Sequence, residues 1–166
     1  MGSIKPADLA ACFDAWAAPL ALLARSCGAG FHADDLVQDA FLAAMRHRRK
    51  IENLKAWLFA AVRNAALNQH RDDRRRLAID KRLAENTHAW FFQRPDVAMD
   101  AQEATAAMEL LLPEQREAVV LRIWGQMTLQ EIAHITGRPV STIHGQYEAA
   151  MQQLRKRMVK DEQQQR

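Results

Sequence analysis

The sequence predicts an all-α fold: two small helical domains joined by a linker, the C-terminal one containing a helix-turn-helix. Three observations predict it. Apolar residues recur at spacings of three and four along most of the chain, as in Leu9, Phe13, Trp16, Leu20 and Leu23, which is the period of a helix with one buried face. That period is lost between residues 77 and 100, a stretch that includes Trp90, Phe91 and Phe92 and reaches Pro95 before helical spacing resumes. Residues 128–158, TLQEIAHITGRPVSTIHGQYEAAMQQLRKRM, then carry two helix starts, one turn and a long amphipathic helix in helix-turn-helix order. The expected division is a first domain over residues 1–76, a linker over 77–100, a second domain over 101–160 and a tail over 161–166.

The first helical segment starts near Asp8. Pro19 lies inside it, and a mid-helix proline lacks an N–H and crowds the preceding turn, so two short helices are expected to meet near Ala18. Gly28 and Gly30 end the segment. A second helix is expected over about residues 33–47. Leu36, Val37, Ala40, Phe41, Ala44 and Met45 form its buried stripe, leaving Asp35, Gln38, Asp39 and Leu42 on the open side. Asp34, Asp35 and Asp39 crowd its N-terminal part, and Arg46, Arg48, Arg49 and Lys50 sit at or just beyond its end. Two readings of the acidic part stand: complementarity to the helix dipole alone, or a docking face for a partner.

After a basic loop, Asn53 can cap a long helix over about residues 54–76, with Trp57, Leu58, Ala61, Val62 and Ala65 facing inward. Arg63, Asn64, Asn68, Gln69, Arg71, Arg74 and Arg75 are polar residues of this helix, dense toward its C-terminal half. Basic side chains anchor phosphates, and amides can pair with base edges. Trp57 and Phe59, near the loop, are candidates either for the core or for stacking on unpaired bases.

In the second domain a helix is expected over about residues 101–112, stopped by Pro113, and another over 114–124, ended by Gly125. Thr128 and Glu131 then form a capping box. A short helix over about residues 129–135 ends at Gly137 in the left-handed conformation, Arg138 and Pro139 cross the turn, and Ser141 caps the last helix. Ile143, Tyr147, Met151, Leu154 and Met158 make its apolar stripe.

Composition narrows the function classes. The 23 basic and 20 acidic residues leave a net charge of +3, but its distribution is uneven. Residues 1–45 carry two basic and five acidic groups, residues 46–76 ten and three, and residues 77–166 eleven and twelve. The positive charge is therefore one central block, read either as a solvated face or as a polyanion-binding surface. No apolar run approaches the roughly 20 residues of a membrane span, and the N-terminus lacks the features of a signal peptide, so membrane insertion is not expected and a cytoplasmic protein is. Cys12 and Cys27 read as buried free thiols; with His32 they would make only a partial metal site, and no metal or cofactor is expected. Histidines, carboxylates and serines gather into no catalytic constellation, so the chain is not expected to be an enzyme.

Two passages, taken together, resemble the extracytoplasmic-function (ECF) sigma factors of bacterial RNA polymerase. DDLVQDAFLAAMR at residues 34–46 is similar to that family's core-binding helix, and NLKAWLFAAVRNAALNQHR at residues 53–71 to its promoter-melting helix. Residues 112–155 are similar to its promoter-binding domain, with Leu112 and Pro113 opening it. The resemblance implies core RNA polymerase and promoter DNA as partners, an anti-sigma factor as a further one, and a monomer when free. It makes Asp34, Asp35, Gln38, Asp39 and Leu42 polymerase contacts. It assigns the minus-ten element to Arg48, Arg49, Lys50, Lys55, Arg63, Asn64, Asn68, Gln69, Arg71, Arg74 and Arg75. The minus-thirty-five element falls to Arg138, Ser141, Thr142, His144, Gly145 and Gln146.

The chain departs from the family in the last helix, where a basic recognition sequence is usual. Here it reads Thr142, Ile143, His144, Gly145 and Gln146, followed by Ala149 and Met151. Missing cations weaken phosphate attraction and flatten its salt dependence. Gly145 costs roughly 1 kcal/mol of helix stability relative to alanine, tolerable where a backbone must approach closely. The leading expectation is an alternative sigma factor. Its rivals are a stand-alone helix-turn-helix regulator and a sigma-derived protein-interaction module with weak DNA binding.

Overall fold

Helix spacing alone builds the regular structure of this protein. The computed structural model describes residues 6–79 and 107–164, with side chains over 8–77 and 107–157, and every regular element among them is helical. The chain divides into two units. The first holds α1 (Pro6–Ser26), α2 (Ala33–Arg46) and α3 (Leu54–Ile79); the second holds α4 (Pro113–Ile123), α5 (Leu129–Thr136) and α6 (Val140–Gln164).

In the first unit each helix packs on the other two. Leu20, Leu23, Leu58, Phe59 and Val62 are its largest wholly buried side chains. α1 corrects the expectation of two short helices, because it runs through Pro19 as one element. A proline costs about 3 kcal/mol inside a lone helix, but burial of Leu9, Leu20, Ala21, Leu23 and Ala24 offsets that. The same packing bears on a second correction. Asp8–Ser26 is long and apolar enough, by length and composition, to cross a membrane, although no such run was expected. Here it packs on α2 and α3 as a core helix.

A single 3-10 turn, Gly30–His32, leads into α2. Gly28 makes the reversal possible. Its φ is +92, and a Cβ there would lie 2.5 Å from His70 Nδ1 of α3, so both backbone conformation and space favour glycine. Asn53 caps α3 as expected, its Oδ1 accepting from the Ala56 N–H at 3.0 Å.

The buried face of α3 is displaced by one residue from the expected stripe. Leu58, Phe59, Val62, Arg63 and Ala66 are buried, whereas Trp57, Ala61 and Ala65 are half-buried. One residue is about 100° of rotation. Phe59 is fully buried and so is core; Trp57 is half-buried.

In the second unit α6 packs on α4 and α5. Residues 107–109 are helical, and the earlier part of the expected helix over 101–112 lies outside the described residues. The Arg116 guanidinium donates to the carbonyls of Met108, Glu109 and Leu111, satisfying acceptors that a helix end leaves open. α5 begins with the expected capping box: Thr128 Oγ1 accepts from Glu131 N–H at 3.2 Å, and the Thr128 N–H donates to Glu131 Oε2 at 2.8 Å. Gly137 ends it at φ 69.

α6 starts two residues earlier than a Ser141 cap would place it, which removes Ser141 from the cap position. Pro139 holds the preset φ of a helix entrance, and its carbonyl accepts the first turn's bond from the Ile143 N–H at 3.1 Å. Ser141 therefore lies inside the first turn with its side chain exposed. Ile143 and Ala150 are wholly buried, while Tyr147, Met151 and Leu154 are half-buried and the Met158 side chain lies outside the described residues. Trp90, Phe91, Phe92 and most of the expected linker also lie outside them.

Candidate functional site

Three surfaces bear the candidate residues. The first is the open face of α2. Asp35, Gln38, Asp39 and Leu42 are all exposed, with spacings of three and four that place them on one face. Met45 joins them at 50% exposure, contrary to its expected burial, because it continues the row from Gln38 and Leu42. Asp34 is different. Its two carboxylate oxygens both accept from Arg25 Nη2 at 3.1 Å, which ties the start of α2 to the end of α1.

The second surface is the basic loop and α3. Arg48, Arg49 and Lys50 are exposed, and Lys55 is half-exposed at the helix entrance. Trp57 stands edge-on to His47, ring centroids 5.6 Å apart, and His47 Nδ1 donates to the Arg49 carbonyl at 2.9 Å. The tryptophan is thereby tied through His47 to the loop that carries the three cations. Along α3, Asn64, Asn68, Arg71 and Arg75 are exposed in one row, with Arg74 exposed beside it.

Two expected contacts behave otherwise. Arg63 is 9% exposed, since it sits four residues after Phe59 and three before Ala66, within the buried row. Gln69 is half-buried, and its amide donates to Asp73 Oδ1 at 3.0 Å. Arg75 reaches Asp72 at 3.7 Å, an exposed pair that constrains it little.

The third surface is the start of α6. Ser141, Thr142, His144 and Gly145 are exposed. No atom within the described chain lies within 4 Å of where a Gly145 Cβ would be, so internal packing does not require glycine there. Arg138 is turned inward: its Nη1 lies 3.2 Å from Glu117 Oε2 of α4 and 3.3 Å from Gln146 Oε1. The Glu117 side chain is 6% exposed and that of Arg138 27%. Glu117 was missed by sequence reasoning, because a carboxylate among Val119, Val120 and Leu121 carries no mark of its partner 21 residues away. Exposed Phe31, Trp124 and Val140 were also missed.

Cys12 and Cys27 are free thiols, as expected, but each is partly exposed. Burial, with Asp8 adding a smaller share, pushes the Cys12 thiol above its ordinary value. Among the described residues no group of three or more His, Cys, Asp or Glu side chains is placed to hold a metal.

A helical unit with a basic loop and long polar helix, followed by a unit built on a helix-turn-helix, defines a nucleic-acid-binding regulator of transcription. Comparison with known proteins gives its family. Residues 13–76 match the Sigma-70 region 2 model and residues 101–154 the Sigma-70 region 4 model. The chain is 31% identical over 126 residues to the ECF RNA polymerase sigma factor EcfG of Rhodopseudomonas palustris, covering 74% of this chain and 68% of that one. It is 26% identical over 141 residues to the RNA polymerase sigma factor YlaC of Bacillus subtilis, covering 81% and 82%. Among solved structures, it is similar to the sigma factor RpoE of Bartonella quintana, crystallised with the anti-sigma factor NepR. The TM-score is 0.73 at 26% identity, over 91% of this chain and 96% of that one. CnrH, solved with the cytosolic domain of CnrY, shares the fold at TM-score 0.61 and 23% identity, over 95% and 91%.

The chain belongs to the ECF sigma factors of RNA polymerase. It is an alternative sigma factor, whose partners are core RNA polymerase and promoter DNA and whose work is transcription initiation.

Proposed function

We propose that the two units divide the work of initiation among the three surfaces. The open face of α2, with Asp35, Gln38, Asp39, Leu42 and Met45, docks on core polymerase. Acidic side chains at the rim steer a basic partner, and Leu42 and Met45 supply apolar contact. The loop cations Arg48, Arg49 and Lys50 with Lys55, Asn64, Asn68, Arg71, Arg74 and Arg75 hold the minus-ten element as it opens. Unstacking a base costs a few kcal/mol, offset by phosphate contacts and by stacking on the half-exposed Trp57. The start of α6, through Ser141, Thr142, His144 and Gln146, reads the minus-thirty-five element as duplex.

The observation that carries this reading is the separation of charge. Ten of the 23 basic residues lie within residues 46–76, together with the half-exposed Trp57, while residues 140–147 at the start of the recognition helix include no lysine or arginine. The chain itself performs no chemistry; the polymerase does, in the cytoplasm. An anti-sigma factor is a further partner, supported by the complex formed by the Bartonella quintana protein.

The test is run-off transcription with purified core polymerase on genomic promoter fragments, with a footprint of the holoenzyme. Initiation that depends on the chain, with protection of both elements, is expected. Transcription unchanged by adding the chain would refute it. Protection of duplex DNA without polymerase would favour the stand-alone regulator.

A further inference from the structure

Three side chains from three elements meet at the head of the recognition helix. Glu117 comes from α4, Arg138 from the turn and Gln146 from the second turn of α6, with Arg138 Nη1 between the two acceptors at 3.2 and 3.3 Å. A guanidinium only donates hydrogen bonds, so the Gln146 atom facing it is the amide oxygen. The amide nitrogen is then the end turned away. Burial of the Glu117 carboxylate keeps the Arg138 charge in place, because either group alone would be costly at 6% and 27% exposure. Gln146 itself is half-exposed, and it follows Thr142 by one helical turn on the exposed side of α6.

This arrangement limits what Gln146 can read. A free glutamine can rotate its amide by half a turn and present both a donor and an acceptor to adenine, whose edge offers N6–H and N7. With its oxygen committed to a cation, Gln146 offers two N–H donors. Guanine N7 and O6 offer these two acceptors and thymine O4 offers one; adenine sets its N7 acceptor beside an N6 amino donor that the committed amide no longer matches, and cytosine presents only its N4 amino donor.

We propose that Glu117 and Arg138 are positioning residues that lock the Gln146 amide, so that Gln146 selects guanine or thymine at one base pair of the upstream duplex element. The proposal rests on the reading of α6 as the duplex reader. It predicts a preference at one position set by two residues outside the helix.

Holoenzyme reconstituted from the full chain and core polymerase is used to select promoter fragments randomised across the upstream element. For the wild type, one position is enriched several-fold in guanine or thymine over adenine and cytosine. Arg138→Met frees the amide and raises adenine several-fold at that position alone. Gln146→Glu keeps the Arg138 contact, and with it the fold, but replaces donors by acceptors, so the same position switches to cytosine. Unchanged base preferences in both variants would overturn the clamp, as would a uniform loss of enrichment in Arg138→Met with no switch in Gln146→Glu. If the wild type enriches no upstream sequence, the reading of α6 fails and the clamp falls with it.

Discussion

Reversing two charges on α2 tests the polymerase-docking face. Asp35 and Asp39 are exposed, one turn apart, and neither is the residue tied to Arg25. An exposed ion pair contributes about 0.2–1 kcal/mol, and reversal replaces attraction by repulsion of similar size. Asp35→Arg with Asp39→Arg should therefore weaken polymerase binding by about 1–4 kcal/mol, a loss of roughly five- to seven-hundred-fold. The cost to folding is smaller. Of the two, Asp35 alone lies in the first turn of α2, where a carboxylate stabilises by about 0.3–1 kcal/mol through the helix dipole. That corresponds to a fall of several degrees at most in the melting temperature of a small domain.

The assay is fluorescence anisotropy of labelled chain against core polymerase at two salt concentrations, with circular dichroism to confirm folding. The defect should shrink at higher salt, since exposed charges are screened. Asp34→Asn serves as the comparison. It removes the ion pair with Arg25 and one of the two acceptors, so its effect should appear mainly in thermal unfolding and less in affinity than that of the double reversal. A folded double variant that binds within twofold of wild type at low salt would refute the docking face.

Three further outcomes are expected. His144→Lys places a cation on the exposed start of α6 and should strengthen holoenzyme binding to promoter duplex, steepening the slope of log affinity against log salt by about 1; an unchanged slope would mean that this helix does not approach phosphate. Gly28→Ala should destabilise the first unit by about 1–3 kcal/mol in urea titration, because alanine must adopt φ +92 and His70 must move. Adding His70→Ala should recover only the steric share, and full recovery would refute the conformational argument. Cys12 should react with iodoacetamide more slowly than an unperturbed thiol at neutral pH. Because its folded pKa is raised, the stabilisation it gives is complete below the ordinary thiol pKa and is lost as pH rises through the raised value; Asp8→Asn should restore only the smaller part of the rate.

The parts of this protein that were legible in the sequence are those set locally. The Thr128–Glu131 box, the left-handed Gly137 and the Asn53 cap each depend on residues within a few positions of one another, and all three formed as expected. What was not legible depends on more than one helix. Pro19 breaks an isolated helix, but α1 is held by packing from α2 and α3. The stripe of α3 was displaced by one residue because a helix packed on two neighbours buries a broader arc than a period analysis assumes. Arg63 was lost to the core by that displacement, and Met45 was gained by the surface. Among the candidate contacts, exposure on α2 was readable from spacing, whereas the inward turn of Arg138 was not, since its partner Glu117 looked like any surface glutamate of α4.

That inward turn completes the division between the two units. Residues 101–166 carry eight basic and eight acidic groups, so the second unit has no net attraction for a phosphate backbone. Of its cations, the one in the turn just before the recognition helix is bound to Glu117 and Gln146. Affinity from counterion release scales with the phosphates neutralised, so in the proposed division the salt-dependent part of promoter binding comes mainly from residues 46–76, which carry a net +7. A neutral recognition surface has the converse property: it holds any duplex weakly, and what little free energy it contributes depends on base edges. Placing grip and selection on separate units lets the holoenzyme reject a wrong upstream element without first overcoming a strong non-specific hold at that element. In this arrangement Arg138 serves selectivity because its charge has been withdrawn from the phosphate backbone and spent on fixing one amide.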